Sequence, residues 1–150
     1  MVQYFTEKSL KKLKEELYEL KTKKTKEIAE MLKYAASFGD LKENAGYDEA
    51  KDRQAFLLGR IEQLEFAIND AVVVEKKEGV GIQVGSEILI LFGGKKEKYH
   101  IVAPGEADIL KNKLSYQSPL GQQLIGKKSG EEFNYEIRDK KIKVKILEIE

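Results

Sequence analysis

Two long helical patterns in this sequence meet at residues 38–47, which read Phe38-Gly39-Asp40-Leu41-Lys42-Glu43-Asn44-Ala45-Gly46-Tyr47. Glycine and small polar residues are typical of a turn, and this turn carries two carboxylates three residues apart, Asp40 and Glu43. If both flanking helices form, the chain reverses here and the helices pack as an antiparallel hairpin. A turn at the end of such a hairpin is not needed for packing, so its side chains are candidates for contact with another molecule.

The first helical pattern runs from about Thr6, the predicted N-cap, to Ser37, and Gly39 is the first residue that interrupts it. The lysine-rich segment 21–26 skips one position of the apolar repeat. Elsewhere apolar residues recur in steps of three and four, which predicts a hydrophobic seam along one face of the helix. Its members are Leu10, Leu13, Leu17, Leu20, Ile28, Met31, Leu32 and Ala35.

The second helical pattern runs from about Leu41 to Asp70 and is more regular. Only Gln54 breaks a seam that otherwise consists of Tyr47, Ala50, Leu57, Ile61, Leu64 and Ile68. Thirty residues of helix are about 45 Å long. We therefore predict an antiparallel coiled-coil hairpin over residues 1–75, with an acidic turn at its end.

The period of the pattern changes after residue 70, and residues 76–150 are predicted to form a small globular α+β domain. The fold class of the whole chain is therefore α+β. The predicted elements of this domain begin with a β-prone run at 71–74, a loop with several glycines at 79–85, and strands at 86–92 and 98–102 around Gly93-Gly94. A two-turn helix then begins at Ser118-Pro119 and ends near Gly126, and two final strands follow around a turn at residues 138–140.

Composition excludes several classes of function. There are 27 Lys and Arg against 26 Asp and Glu, so no global field draws the protein to nucleic acid or a membrane. Residues 40–70 carry 4 basic and 8 acidic side chains, which makes the second helix the acidic one. The absence of cysteine and the single histidine exclude disulfides, thiolate zinc sites and histidine-rich metal sites. Because no signal peptide or membrane span is recognisable, we expect a soluble, cytoplasmic protein.

Two interpretations of Asp40 and Glu43 stay open at this point. Asp40 as N-cap with Glu43 three residues later is a capping-box pattern, which is the commoner use of such a pair. Alternatively, carboxylates on an exposed turn can bind Mg²⁺, a cation that takes oxygen ligands. Two carboxylates form only part of such a site, so a second molecule has to complete it.

The other candidate sites are weaker. The lysines in segment 21–26 can follow a phosphate backbone, but a solvated coiled-coil face is the more common reason for such charge. The glycines at 79–85 lack the helix that follows a phosphate-binding loop, and His100 lies in a strand pattern. No nucleophile with a matching base is recognisable in the C-terminal half, so autonomous catalysis is not expected.

Several motifs resemble the bacterial Gre transcript cleavage factors, and the GreA type more than the GreB type. The resemblance covers essentially the whole chain. Its N-terminal motif comprises residues 39–45 with Tyr47, Ala50-Lys51, Gln54, Phe56 and Gly59-Arg60-Ile61; its C-terminal motif comprises Glu106-Ala107-Asp108, Ser118-Pro119-Leu120 and Leu124-Ile125-Gly126-Lys127.

The resemblance implies a function in transcription elongation. Gre factors bind RNA polymerase whose RNA 3′ end has slipped backwards, and they insert the hairpin through the secondary channel. The acidic turn then helps to hold a Mg²⁺ ion jointly with the polymerase, and the polymerase's own hydrolysis of the RNA 3′ end is accelerated. By this resemblance the protein is not itself an enzyme, binds no metal stably alone, and acts as a monomer on RNA polymerase near the nascent RNA 3′ end, without a membrane partner.

The resemblance also assigns roles to individual residues. Asp40 and Glu43 correspond to the catalytic, metal-binding pair, and Asn44 and Tyr47 to residues that support the turn or contact polymerase and RNA. The C-terminal domain of the family has an FKBP-like fold without isomerase activity and docks at the channel entrance. The stretch that binds polymerase there corresponds to Gln117, Ser118 and Pro119. The sequence departs from the family pattern at Gly46, where an acidic residue is usual, at Ala36, where Arg is common, and at Ser37, which replaces a frequent Glu.

Two alternatives remain beside transcript cleavage. A protein of the same shape could occupy the polymerase channel as an inhibitor without cleavage activity. A hairpin protein with another client would depend on the lysines of segment 21–26 rather than on the turn.

Overall fold

The computed structural model describes residues 1–150 and confirms the α+β class. Contacts between residues divide the chain into two compact units, one of residues 11–69 and one of residues 1–10 with 70–150. The first unit is helical, and the second is built on a five-stranded sheet.

The helical unit is a hairpin, as predicted. Helix α1 (Glu7–Glu19) continues through a π-helical segment (Leu20–Lys24) into α2 (Thr25–Ala36), and α3 (Ala45–Asn69) packs back against them. The predicted N-cap of the first helix is confirmed, because Thr6 Oγ1 accepts a hydrogen bond of 3.2 Å from the Ser9 amide. Residues 37–44 connect α2 to α3, and we call them the hairpin turn.

The π-helical segment lies where the apolar repeat skips a position. Successive seam residues Leu20 and Ile28 are eight apart, whereas two α-helical turns take about seven residues. The Thr25 amide donates to the Leu20 carbonyl five residues earlier, and this wider turn accommodates the extra residue. The Thr25 hydroxyl also donates to the Leu20 carbonyl at 2.7 Å. Ile28 therefore returns to the buried face after the irregular turn, where it is half-buried.

Burial follows the predicted seam of α3 closely. Every predicted position is buried or half-buried, including Gln54, whereas Phe56 and Phe66 off the seam are exposed. Met31 on α2 departs from its prediction, since 37% of it is exposed. Across the hairpin the Arg60 guanidinium binds both carboxylate oxygens of Glu16, at 3.0 and 3.1 Å. This bidentate pair fixes the register of α3 against α1.

The second unit contains the two-stranded sheet and the five-stranded sheet. Its strands are β1 (Gln3–Phe5), β2 (Ala71–Val73), β3 (Glu87–Phe92), β4 (Lys95–Val102), β5 (Lys113–Ser115), β6 (Glu132–Ile137) and β7 (Lys140–Ile149), with helix α4 (Pro119–Leu124) between β5 and β6. The five-stranded sheet has the order β5-β4-β3-β7-β6, in which only β4 and β5 run parallel.

The division differs from the predicted boundary at residue 75. Residues 1–10 and 70–75 belong to the sheet unit, whereas the predicted hairpin included them. The physical reason is strand pairing: β1, which was not predicted, pairs in parallel with β2. This pairing joins the segments before the first helix and after α3 in one small sheet.

The core of the sheet unit lies between α4 and one face of the sheet. It contains Ile82, Ile88, Ile90, Ile101, Leu120, Leu124, Tyr135, Val144 and Ile146. Burial of alternate residues along β3 and β7 is typical of a sheet with one covered face.

Candidate functional site

Helix α2 ends at Ala36, and Gly39 lies near the start of the hairpin turn. The Ser37 amide donates to the Lys33 carbonyl, and the Gly39 amide donates to the Ala36 carbonyl at 3.1 Å. Gly39 has φ of +92°, a backbone conformation that side-chain-bearing residues rarely adopt. The glycine therefore ends the helix and redirects the chain into the turn.

Asn44 closes the turn from the other side. Its Oδ1 accepts a hydrogen bond of 2.9 Å from the Tyr47 amide, which makes Asn44 the N-cap of α3. Its Nδ2 donates to the carbonyl of Ala35 in the last turn of α2, at 2.7 Å. One side chain thus joins the end of one helix to the start of the next.

This geometry corrects two sequence-based expectations. Helix α3 begins at Ala45, not near Leu41, and the capping-box interpretation of Asp40 and Glu43 is wrong because Asn44 provides the cap. Asp40 Oδ1 instead accepts from the Lys42 amide at 3.2 Å, within the turn. Both Asp40 and Glu43 are exposed. The fold therefore leaves both carboxylates accessible to another molecule.

Tyr47 lies directly after this cap, in the first turn of α3. Its ring is half-buried, and the Lys51 ammonium lies 5.8 Å from the ring centre. Gly46, one of the departures from the Gre pattern, precedes it. A Cβ at Gly46 would lie 3.4 Å from Asn44 Oδ1, so the position tolerates a side chain with only slight adjustment.

The stretch predicted to bind a partner in the second unit is organised by Ser118. Its hydroxyl donates to the Ser115 carbonyl at 2.7 Å and accepts from the Gly121 amide at 3.1 Å, so it caps α4. Pro119 occupies the first turn of α4, and both Gln117 and Pro119 are exposed. Ser118 shapes the stretch, and its two neighbours are available for contact.

Two protein-family models together match residues 3–150 of this chain. The family model described as "Transcription elongation factor, N-terminal" matches residues 3–73, and the model described as "Transcription elongation factor, GreA/GreB, C-term" matches residues 69–150. This chain belongs to the GreA/GreB family.

Relatives with high identity span nearly the whole length. Transcription elongation factor GreA of Clostridium acetobutylicum is 47% identical over 148 residues, which cover 96% of this chain and 94% of that protein. GreA of Caldanaerobacter subterraneus subsp. tengcongensis is 45% identical with the same coverage. A solved structure of the transcription factor Gfh1 is 24% identical, covers 99% of this chain and 97% of its own, and has a TM-score of 0.50, which supports the fold alone.

The lysines of segment 21–26 are exposed in this Gre family member, and two of them pair within the hairpin. Lys21 Nζ lies 2.6 Å from a Glu65 carboxylate oxygen, and Lys24 Nζ lies 3.4 Å from that of Glu27. Such pairing favours the interpretation of this segment as a solvated helix face.

One feature of the turn was not singled out from the sequence. Tyr34 and Phe38 form an edge-to-face pair with ring centres 5.1 Å apart, and each side chain is 70% exposed. The sequence signal was present, because the two residues are four apart at the end of a helix.

No helix of the structure is long and apolar enough to span a membrane. No cluster of three or more His, Cys, Asp or Glu side chains has the arrangement of a metal site.

We predict that replacing Gly121 by Ala destabilises the sheet unit. A Cβ at this position would clash with the Ser115 carbonyl oxygen and would lie 2.9 Å from Ser118 Oγ. In most helices a Gly→Ala substitution stabilises the helix. Here the added methyl group forces the cap of α4 to shift, and we expect this shift to lower the free energy of unfolding by about 1–3 kcal/mol. Urea denaturation measures the change in free energy of unfolding. Gln123→Ala, an exposed position on the same helix, is the matched control and is expected to be neutral. A neutral or stabilising Gly121→Ala would contradict the geometry.

His100 supplies a second prediction, on pH dependence. It lies on β4 between Glu87 of β3 and Lys113 of β5. Burial lowers the pKa of His100 from the usual 6.5, against the opposing effect of Glu106 and Glu87, which raise it. The folded state therefore binds this proton less well than the unfolded chain, and the stability contribution is present above pH 6.5 and lost as the pH falls below it.

The expected result is a fall in Tm between pH 7.5 and pH 5.5 that is larger in the wild type than in a His100→Gln variant. Thermal melts of both proteins at several pH values measure it. Identical pH profiles would show that burial of His100 does not disfavour its charged form.

Proposed function

We propose that this chain is a transcription elongation factor that acts on backtracked bacterial RNA polymerase in the cytoplasm. The hairpin turn enters the secondary channel, and Asp40 and Glu43 complete a metal site at the polymerase active centre. The polymerase then hydrolyses its own RNA near the 3′ end. The observation that carries this proposal is that both carboxylates are exposed and that Asn44, not they, caps α3.

The two carboxylates suit Mg²⁺ chemically. Exposed carboxylate oxygens are the hard ligands that Mg²⁺ takes, and Mg²⁺ commonly uses one or two carboxylates together with phosphate oxygens and water. A Mg²⁺ ion held there would supply activation of a water and stabilisation of charge on a phosphodiester. Because two residues supply only part of the coordination, the remaining ligands come from polymerase and RNA.

The rest of the hairpin positions these two side chains. Gly39 and Asn44 fix the backbone at the two ends of the turn. The backbone that carries the two carboxylates is therefore ordered. Helix α3 has 25 residues, which gives a length of about 38 Å. A length of this order allows the turn to enter a narrow channel that a globular domain cannot enter.

The sheet unit supplies the second contact in this proposal. Gln117 and Pro119, held by the cap at Ser118, bind the rim of the secondary channel while the turn is inserted. One monomer is sufficient, because each unit contacts a different part of the polymerase. The nascent RNA 3′ end then lies beside the hairpin turn.

A cleavage assay tests the proposal. Elongation complexes with 3′-labelled and 5′-labelled RNA are stalled in a backtracked position and incubated with Mg²⁺, with or without the protein. We expect shortened transcripts to appear much faster with the protein, and synthesis to resume from the new 3′ end. A protein that slows elongation and never shortens RNA would instead be a channel-binding inhibitor, and the cleavage proposal would be lost.

A further inference from the structure

We propose that Phe38, supported by Tyr34, is a stacking platform for an unpaired nucleobase at the RNA 3′ end. This inference rests on the proposed function and names the part of the substrate that the turn binds. It concerns two aromatic side chains to which no role is assigned above.

The two rings are exposed where a packed protein would normally cover them. Tyr34 and Phe38 are each 70% exposed, and neighbouring Leu41 is 50% exposed. The rings meet edge to face, with an interplanar angle of 86°. In this geometry one ring presents its edge to the other, so ring surface is left open to a further planar group.

Phe38 is held in place by the same atoms that order the turn. Its amide donates to the Ala35 carbonyl at 3.3 Å, and the same carbonyl accepts from Asn44 Nδ2 at 2.7 Å. Phe38 precedes Asp40 by two residues. Phe38 and Asp40 therefore lie in one hydrogen-bonded turn, two residues apart.

The size of the aromatic surface favours a single base over a protein partner. The exposed parts of Tyr34, Phe38 and Leu41 amount to roughly 400 Å², about half of what one side of an ordinary protein interface buries. The patch is therefore too small for an ordinary protein interface, but the exposed face of one ring is large enough for one nucleobase to stack on it. Stacking on aromatic side chains is how proteins bind single-stranded bases without sequence preference.

Charge at the turn is compatible with a nucleotide. Lys33 at the end of α2 and Lys42 within the turn are both exposed, and they offset the charges of Asp40 and Glu43. If the carboxylates hold a metal at a phosphodiester, the nucleosides attached to that phosphate lie beside the turn. A base from one of them can then reach the Phe38 ring.

The test combines Phe38 variants with an altered RNA. Cleavage by polymerase with full-length protein is measured on backtracked complexes whose unpaired 3′ nucleotide carries either a normal purine or no base. On normal RNA we expect Phe38→Ala and Phe38→Leu to be about tenfold slower than wild type, and Phe38→Trp to stay close to wild type. On the abasic RNA all four proteins should cleave at the same, slower rate.

Matched controls separate stacking from other effects. Phe56→Ala removes an even more exposed ring from α3, away from the turn, and should leave cleavage unchanged. Leu41→Ala removes an aliphatic side chain from the turn itself. Circular dichroism and thermal melts establish that each variant is folded.

The outcomes distinguish this inference from the proposed function. If wild type stimulates cleavage but Phe38→Leu is equally active, or if Phe38→Ala slows abasic and normal RNA by the same factor, stacking is excluded and the proposed function stands. Equal losses for Leu41→Ala and Phe38→Ala on both RNAs would mean that polymerase covers the surface. If wild type does not stimulate cleavage on any RNA, both proposals fail together.

Discussion

Replacing Asp40 by Asn is expected to abolish the stimulation of transcript cleavage while leaving polymerase binding nearly intact. The amide is nearly isosteric with the carboxylate, and its Oδ1 can still accept the hydrogen bond from the Lys42 amide. The shape of the turn is therefore kept, and only the negative charge is removed. Substitution of residues that only hydrogen-bond to a metal ligand typically costs about 10- to 100-fold in metal affinity or activity. Because Asp40 is a proposed ligand itself, we expect the cleavage rate to fall by about 100-fold or more.

The measurement is the cleavage rate as a function of Mg²⁺ concentration. A metal-binding role predicts that Asp40→Asn raises the Mg²⁺ concentration for half-maximal rate, and that high Mg²⁺ restores part of the activity. Glu43→Gln should behave in the same way. Asp52→Asn, an exposed carboxylate on α3 outside the turn, is the control and should match the wild type. Binding is measured by competition with labelled wild-type protein.

Two results would remove the carboxylates from the mechanism. One is retained cleavage by the Asp40→Asn and Glu43→Gln variants at low Mg²⁺. The other is a loss of cleavage that follows a parallel loss of polymerase binding, since the residues would then act in docking.

The regular parts of the fold could be predicted because their burial repeats in sequence. The seam of α3 and the alternation along β7 are patterns of period 3.5 and 2, and the structure buries or half-buries those residues. The skipped position near residues 21–26 was also visible, but a missing apolar residue does not indicate how the helix responds. The π-helical turn forms because the Thr25 amide donates to the Leu20 carbonyl, and the apolar pattern does not show which carbonyl accepts from this amide.

The details of the site were harder to predict because they depend on competing local hydrogen bonds. Asp40 and Asn44 are both good N-cap residues, and Asp40 has the additional support of Glu43 three residues later. The sequence pattern therefore favoured Asp40. Asn44 provides the cap because its amide group can also donate to the Ala35 carbonyl across the hairpin, a contact between residues nine apart that local rules do not include.

Short elements that depend on distant partners were missed for the same reason. Strand β1 has three residues and pairs with β2 some 70 positions later in the chain. The close approach of Gly121 to the Ser115 carbonyl is likewise invisible in a sequence. Prediction was therefore reliable for long periodic segments and unreliable where one contact between distant residues decides the structure.

Replacing Asn44 by Ala is expected to lower transcript cleavage by about 10- to 100-fold, although the side chain contacts neither metal nor RNA in our proposal. The substitution removes the cap on the Tyr47 amide and the bond to the Ala35 carbonyl. Loss of an N-cap costs about 1 kcal/mol of stability, which is small for the protein as a whole. The larger effect is on position, because displacement of catalytic groups by about 1 Å can slow a reaction 100-fold.

An Asn44→Asp variant separates capping from positioning. Aspartate is an equally good N-cap, so it should restore the part of the thermal stability that the cap contributes, but it cannot donate to the Ala35 carbonyl and its second oxygen is repelled by that carbonyl oxygen. If Asn44 acts by tying α3 to α2, Asn44→Asp regains stability and not cleavage. Recovery of both would show that the cap alone is sufficient.

A double-variant cycle shows whether Asn44 acts through the carboxylates. At a Mg²⁺ concentration where Asp40→Asn retains measurable cleavage, adding Asn44→Ala should reduce the rate much less than it does in the wild-type background, because the position of residue 40 matters less once its charge is gone. Independent, multiplicative losses would mean that Asn44 contributes by another route, such as direct contact with polymerase. The stacking role of Phe38 should be coupled to Asn44 as well, since the Phe38 backbone amide and the Asn44 side chain both donate to the Ala35 carbonyl.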